Sequence, residues 1–231
     1  MRRARLILTV ATLLLASAGS ALAQGLDLRI GAFRPHGEET LFKDDRSLYL
    51  VDKSDFLGVF GGVEYNTVLA RNVELGFSVD GYSRAIDTSY RDYTRPNGSE
   101  IEQTLKFEMV PVGLTVRFVP TGKRASIAPY VGGGVDAVFY QYEEYGDFID
   151  FYDPDFAIYN DHFKDSGTAF GAHVVAGLRV YLNRDFAIVG EGRYQWAKKD
   201  MNEDFSPNES GLVNTIDLSG ASFTLGVHVR F

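Results

Sequence analysis

The sequence predicts an all-β protein, an eight-stranded antiparallel up-and-down transmembrane β-barrel. Three observations lead to this fold class. Apolar and polar residues alternate along most of the chain beyond residue 23, as they do in strands that separate an apolar from a polar environment. The segments with this pattern number eight, and an even number is usual for transmembrane barrels. Short and long connections alternate between them, which sorts the connections onto opposite ends of a barrel.

The first 23 residues have the features of a cleaved secretory signal peptide. "MRRAR" carries three arginines and no acid, "LILTVATLLLASAG" is apolar but too short to span a bilayer, and "ALA" precedes Gln24. The alternative, a membrane anchor that stays attached, is disfavoured by the short apolar run. We therefore expect residues 24–231 to form a single barrel domain. Loss of the three arginines takes the formal net charge from −8 to −11.

The eight strands are predicted in order along this domain, and no convincing amphipathic helix is found between them. Strands of roughly 9–11 residues are sufficient to cross the hydrocarbon core when they are tilted. The predicted strands are Leu26–Phe33, Leu57–Asn66, Val73–Ile86, Ile101–Phe118, Ser126–Tyr140, Thr168–Leu182, Phe186–Ala197 and Leu218–Phe231.

The connections predict which end of the barrel faces outward. Three are short, and we expect them to be periplasmic turns: Thr67–Asn72, Val119–Ala125 and Asn183–Asp185. Four are long, and we expect them to be extracellular loops: Arg34–Phe56, Asp87–Glu100, Gln141–Gly167 and Lys198–Asp217. This asymmetry is typical of outer-membrane barrels.

The polar faces of the strands are predicted to point into the barrel and the apolar faces to point to lipid. Acidic and basic residues on the polar faces are nearly balanced in number, as enclosed charges must be, because an isolated buried ion is very costly. The predicted lumen charge network is Asp27, Arg29, Glu64, Glu74, Asp80, Arg117, Asp136, Arg179, Glu191, Arg193 and Arg230. A soluble barrel with an apolar interior is the rival fold.

The strand Ile101–Phe118 departs from strict alternation. Its apolar residues have odd numbers up to Met109 and even numbers from Val112 onward. We expect a β-bulge at Val110-Pro111, which would return both halves to lipid, because proline cannot donate to a ladder. The alternative is that the first half of this strand protrudes above the membrane.

Composition and motifs exclude several other functions. The absence of cysteine rules out disulfides and thiolate metal sites, and the acidic balance argues against nucleic-acid binding. "GGGVDA" fits a dinucleotide fingerprint, but the residues after it remain strand-like, whereas a dinucleotide site requires a helix there. The four histidines lack metal-ligand spacing. We therefore expect no cofactor and no catalytic residues, although His162 lies near Ser166 in the third long loop.

The third long loop is rich in acidic and aromatic residues. Its carboxylates include Asp147, Asp150, Asp153 and Asp155, which are oxygen ligands of the kind that Ca²⁺ and Mg²⁺ prefer. A divalent-cation site is therefore one interpretation of the loop. A solvated acidic hairpin whose rings extend above the membrane is the interpretation that we favour, since no EF-hand spacing is present.

The chain resembles the OmpA/OmpX/OmpW-like group of small bacterial outer-membrane β-barrel domain proteins. The resemblance rests on the signal peptide, the eight strands, "PYVGGGVDAVFY", "GAHVVAGLRVYL" and the terminal aromatic residue. It implies a location in the Gram-negative outer membrane, in contact with its lipid and lipopolysaccharide. It also implies that the last strand is the signal read by the barrel-assembly machinery. The residues of this assembly signal are Phe223, Leu225, Val227, Val229 and Phe231.

The predicted function is a structural or surface-interaction role in the outer membrane. An eight-stranded barrel is only wide enough to be filled by side chains, so a wide diffusion pore is not expected. A narrow porin-like channel for small solutes, as the OmpW resemblance would allow, is the alternative. An enzyme that modifies lipid A is the least favoured interpretation, because no nucleophile–histidine–acid spacing is recognisable.

Overall fold

The computed structural model describes residues 24–36, 40–121, 125–201 and 215–231. The predicted signal peptide lies outside these residues. No helix among the described residues is both long enough and apolar enough to cross a membrane. The elements of the described residues are β1 (Gln24–Pro35), α1 (Thr40–Leu48), β2 (Gly58–Ala70), β3 (Val73–Thr94), β4 (Glu100–Phe118), β5 (Ile127–Ile149), β6 (Ile158–Tyr181), β7 (Phe186–Asp200), β8 (Thr215–Asp217) and β9 (Gly220–Arg230).

Eight of the strands form a closed antiparallel ring. Strands β1 to β7 pair in chain order, β7 pairs with β9, and β9 pairs with β1. In the closing seam, Leu28 lies opposite Val63 on one side and Val227 on the other. The short strand β8 pairs only with the end of β7. Closure leaves no unpaired edge in the ring, and the predicted fold class is confirmed.

A continuous band of exposed apolar side chains surrounds the ring. On β4 this band runs from Val110 to Phe118, with every second residue directed outward. Bands of this height match the roughly 25 Å apolar belt of transmembrane barrels. Other large members of the band are Leu28, Ile30, Val59, Val131, Val135, Phe139, Phe170, Val174, Leu178, Ile188, Trp196, Leu225 and Val227. We call this surface the lipid band.

The expected bulge in β4 is wrong. Pairing with β5 continues in a single register through Val110↔Phe139 and Pro111↔Val138, and the pairing with β3 keeps its register on either side. Odd-numbered residues therefore face inward along the whole strand, and Phe107 and Met109 are buried inside. The alternative interpretation is correct, because Glu108 and Lys106 continue the outward face above the lipid band.

Two of the four long outer connections are mostly β-structure. Strands β3 to β6 extend beyond the lipid band as a four-stranded protruding sheet, made by residues 83–94, 100–108, 141–149 and 158–168. Its connecting turns are residues 95–99 and 150–157. The predicted loops Asp87–Glu100 and Gln141–Gly167 are thus largely paired strands, whose polar outer faces resemble loop sequence.

The first long connection contains the helix α1, which the sequence analysis did not anticipate. Its sequence "TLFKDDRSL" is short and mostly polar, so local propensity alone would leave it marginal in water. The helix is held by tertiary contacts instead. Phe42 is fully buried, with its ring 4.9 Å from that of Phe56 and 5.9 Å from that of Phe107.

Candidate functional site

The candidate site is the barrel lumen. Its half nearer the periplasmic end is a charged layer at the depth of the lipid band. Arg117 is fully buried at its centre and donates hydrogen bonds to both carboxylate oxygens of Glu64. It also donates to Glu191 at 2.8 Å and to the amide oxygen of Asn66 at 2.6 Å. One guanidinium on β4 therefore links side chains from β2 and β7, which are separated in the ring by β1 and β9, a geometry that the planar five-donor group suits.

Arg29 forms a second bridge through the same carboxylates. Its guanidinium reaches Asp80 at 3.0 Å, Glu64 at 3.1 Å and Glu191 at 2.5 Å. The guanidinium of Arg193 lies 3.4 Å from the carboxylate of Asp80 and so joins the same cluster. Because each carboxylate is shared by two or three guanidinium groups, the layer is one connected network and not a set of separate pairs.

The network continues toward the periplasmic end through Arg179 and Tyr130. Arg179 donates to Glu74 at 2.6 Å and to Asp27 at 3.3 Å. The ring of Tyr130 lies 5.0 Å from the guanidinium of Arg117 and 5.1 Å from that of Arg179, within cation–π range. Its hydroxyl donates to Glu191 at 2.9 Å.

Two histidines also belong to the polar network of the layer. His228 bonds Asp27 through Nδ1, and His173 bonds Asp136 through Nδ1 at 2.7 Å and Thr115 through Nε2 at 2.9 Å. The six predicted acids thus face four of the predicted arginines and two imidazoles. Both histidines alternate with the lumen-facing residues of their strands. This sequence pattern is the signal that could have assigned them to the network.

The remaining predicted member of the network lies at the rim. Arg230 is only partly buried and places its guanidinium 4.4 Å from the ring centre of Tyr181. Arg230 is the last paired residue of β9, opposite Gly25 of β1, and this position at the end of the strand accounts for its partial exposure. The sequence analysis did not assign Tyr130, Asn66 or Thr115 to the network, although each lies on the lumen-facing side of its strand.

The half of the lumen nearer the extracellular end is an apolar layer. Phe33, Phe60, Tyr82 and Phe107 are buried, and the ring of Tyr82 lies 5.3 Å from that of Phe33 and 5.3 Å from that of Phe107. Phe42 of α1 closes this layer from above. The lumen is therefore filled at two levels, first by aromatic rings and then by paired ions.

Helix α1 also carries a carboxylate into the mouth of the barrel. Asp45 is buried and accepts a hydrogen bond from the Tyr142 hydroxyl at 2.8 Å. Glu144 lies on the same strand as Tyr142, above the lipid band, and is buried close to Asp45. Burial, reinforced by the charge of Asp45, raises the pKa of Glu144 well above its ordinary value.

The four aspartates of the predicted cation loop lie at the end of the protruding sheet, which we call the tip. Asp147 is paired with Arg95 and accepts from Asn160 at 3.2 Å. Asp150 and Asp153 instead accept backbone N–H groups within the turn, at 2.9 and 2.8 Å. No cluster of three or more metal-binding side chains suited to an ion occurs among the described residues. Cation binding at the tip stays a prediction.

The residues of the predicted assembly signal lie on the lipid-facing side of β9. Phe223, Leu225 and Val227 are exposed on the outer surface, and Phe231 follows the last paired residue of the strand. Their outward direction fits recognition from the membrane side. A role in assembly stays a prediction.

The fold and the filled lumen define a class of small, closed, membrane-spanning β-barrels. The family model described as "Outer membrane protein beta-barrel domain" matches residues 7–231. The chain belongs to this outer membrane β-barrel domain family, which places it in the outer membrane. A comparison with curated protein sequences gives no significant match.

Solved structures support the same fold. The outer membrane protein OprG of Pseudomonas aeruginosa is 12% identical, with 91% of this chain and 96% of that chain covered and a TM-score of 0.55. A major outer membrane protein of Thermus thermophilus is 14% identical, with 90% and 99% covered and a TM-score of 0.52. At these identities the similarity concerns the fold alone.

We predict that the substitution Arg117→Met strongly destabilises the barrel. It removes the guanidinium that bonds both Glu64 and Glu191 and leaves these buried carboxylates to Arg29 and Arg193. Removing one member of a buried ion pair costs about 3–5 kcal/mol. Urea unfolding of the protein in detergent, followed by the heat-dependent shift of its gel mobility, measures the loss. The matched control is Arg71→Met in an exposed periplasmic turn, which should change the unfolding free energy little. Equal stability of the two variants would contradict the network's role.

We predict that α1 is seated more firmly at pH 5 than at pH 8. At pH values below the ordinary carboxyl pKa of 4.5, Glu144 is protonated whether α1 is seated or displaced. As the pH rises toward the raised pKa of the buried group, the displaced state gains stability because there the carboxyl ionises freely in water. Amide hydrogen exchange in α1, corrected for the intrinsic rate, measures the difference.

The variant Glu144→Gln should remove this pH dependence, whereas Glu102→Gln should keep it. Glu102 is an exposed carboxylate on the outer face of the same sheet, so it controls for a general effect of charge. Unchanged pH dependence in Glu144→Gln would assign the effect to another group.

Proposed function

We propose that this chain is a non-enzymatic integral outer-membrane protein with a structural and surface-interaction role. One observation carries the proposal. The lumen is filled at two levels, while four strands continue outside the membrane as the protruding sheet. The transmembrane part therefore serves as an anchor, and the part that offers new surface to the environment is the sheet and its tip.

The chemistry of the tip favours a cationic counterpart. Tyr93, Phe151 and Phe156 are exposed there and contact one another, with ring centres 5.4 to 6.4 Å apart. Tyr152 beside them is 78% exposed. Asp150 and Asp155 lie in the same turn as Phe151, Tyr152 and Phe156. Aromatic faces and carboxylates both attract ammonium and guanidinium groups.

A catalytic role receives no support from the geometry. Thr115, His173 and Asp136 form a hydroxyl–imidazole–carboxylate chain, but all three are buried within the charged layer, where a substrate has no route to them. His162 lies 3.6 Å from Glu143 on the outer face of the sheet. We propose that both histidines serve local polar networks, and that the partners of the protein are outer-membrane lipid, lipopolysaccharide and the barrel-assembly machinery.

We predict that cells displaying the protein adhere to poly-lysine-coated beads through the tip. The triple variant Asp150→Asn, Asp153→Asn, Asp155→Asn removes three negative charges, while the amide oxygens can still accept the N–H bonds of the turn. Adhesion should fall severalfold in the variant and should fall in the parent at high salt, because salt screens exposed charges. The matched control is Asp185→Asn in a periplasmic turn. Equal adhesion of all three strains would contradict the proposed surface role.

A second candidate function is passage of small solutes. The observation that favours it is the apolar character of the outer half of the lumen, which is closed from above by a helix and not by a strand of the wall. A helix held by Phe42 and Asp45 can leave its seat without breaking the barrel. Small apolar solutes would then meet a matching lining before they reach the charged layer.

Conductance in planar bilayers separates the two functions. We expect the wild-type protein to show no steady ohmic current, and we expect the same of Phe42→Ala, since the charged layer still closes the lumen beneath the aromatic one. Channels in the wild type that persist when Glu191 is replaced by Gln would overturn the closed-lumen proposal and favour the channel. The heat-dependent gel shift confirms that each variant is folded.

A further inference from the structure

The tip carries a cluster of aromatic side chains that come from two different hairpins. Tyr93 lies near the end of β3, and Phe151 and Phe156 lie in the turn between β5 and β6. The ring centre of Phe151 is 5.4 Å from that of Tyr93 and 6.3 Å from that of Phe156. The ion pair between Arg95 and Asp147 joins the same two hairpins. The tip is therefore one structural unit and not two independent turns.

The rings of the tip are exposed to solvent although they are largely apolar. Tyr93, Phe151 and Phe156 are 40%, 44% and 52% exposed, and Tyr152 is more exposed still. Phe156 has φ +51 and is the one non-glycine residue with a positive φ in the described part of the chain. This conformation is uncommon for a residue with a bulky side chain. Exposed rings in a strained turn indicate a surface that is kept for contact with a partner.

Hydrogen bonds hold the turn in a fixed conformation. The N–H of Asp150 donates to the carbonyl oxygen of Ala157 at 2.9 Å, and the N–H of Phe156 donates to that of Asp153 at 3.0 Å. The carboxylate of Asp150 also accepts the N–H of Tyr152 at 2.9 Å. A turn that is already ordered loses little conformational entropy when its side chains bind a partner.

The tip lies too far out to contact the lipid that surrounds the barrel. On β5 the lipid band reaches Phe139, and the strand ends at Ile149. The chain between these residues extends roughly 33 Å along the strand, at about 3.3 Å per residue. Even when the strand is tilted by about 45°, the tip stands well above the acyl chains of its own leaflet. A lipid that contacts these rings therefore belongs to another membrane.

We propose that the tip binds the choline headgroups of an apposed membrane. The trimethylammonium group of choline is a cation that aromatic faces bind, and amphipathic aromatic side chains favour the interface of a bilayer. The carboxylates of Asp150, Asp153 and Asp155 lie in the same turn as the rings. They complement the cation and repel a membrane whose surface is anionic. The inference rests on the proposed surface role and adds the class of partner.

The exposure of the rings favours a membrane over a soluble ligand. Proteins that bind a free quaternary ammonium compound enclose it in a cage of aromatic rings. Here Tyr93, Phe151 and Phe156 contact one another and present their remaining surface to solvent. Such a surface holds a single cation weakly. A membrane presents many headgroups at once, so that several tips bind together and the avidity rises.

The test uses the full mature chain in fluorescent proteoliposomes of phosphatidylethanolamine, so that choline is present only on the target. The targets are beads coated with a bilayer of phosphatidylcholine or of phosphatidylethanolamine, which differ in the three methyl groups on the nitrogen. We expect binding to phosphatidylcholine beads severalfold above that of liposomes without protein, and no such excess on the other beads. Free phosphocholine at micromolar concentration should not inhibit.

Variants identify the rings that carry the binding. Tyr152→Ala should lower binding to phosphatidylcholine beads about tenfold, the size expected for the loss of one desolvated cation–π contact. Tyr152→Trp should retain binding, because an aromatic face remains. The matched control is Tyr145→Ala, which removes an exposed tyrosine from the outer face of the sheet below the tip and should bind as the wild type does. The heat-dependent gel shift verifies folding.

Three results would overturn the proposal. Equal binding to the two kinds of bead would show that the trimethylammonium group is not recognised. Wild-type binding by Tyr152→Ala would remove its ring from the contact. Inhibition by micromolar phosphocholine would assign the tip to a soluble ligand. Absence of choline binding in a protein that still adheres to poly-lysine beads would overturn the choline proposal alone, whereas absence of both would also contradict the proposed surface role.

Discussion

The structure depends on the absence of water from the hydrocarbon core. Every backbone N–H and C=O at that depth must find its partner within the protein, and a sheet can satisfy this demand only by closing on itself. Closure by β9 onto β1 then divides each strand into a face toward lipid and a face toward a narrow interior. All the other features of the transmembrane part follow from this division.

The interior at membrane depth is polar, and its charges must neutralise one another. The interior of an eight-stranded ring is just wide enough for side chains to fill, and Arg117, Arg29 and Arg179 meet carboxylates there that belong to non-adjacent strands. The resulting network links strands that are far apart in the ring. It stabilises the closed shape and fills the interior at this depth with side chains.

Above the membrane the rule for the two faces reverses while the strands continue unbroken. On β4 the inward residues change from Thr115 and Arg117 to Met109 and Phe107, and the outward residues change from Val112 to Glu108. Water now bathes the outer face, so the protruding sheet is organised like part of a soluble protein, with an apolar side covered by α1. The same continuous strands therefore enclose the apolar layer on their inner side and present a polar face to water on their outer side.

The sequence by itself determined the class of fold, the polarity of the two faces and the charged residues of the lumen except Arg230, which lies at the rim, because alternation with a period of two is a local property. It did not determine α1, whose nine residues are stabilised by tertiary contacts, chiefly the burial of Phe42 and the hydrogen bond from Tyr142 to Asp45. It also left the break at Val110-Pro111 open, since a bulge and an emergence from the membrane produce the same change of pattern. Only the tertiary structure decided between them, because the register across β3, β4 and β5 and the position of the water boundary depend on contacts between strands.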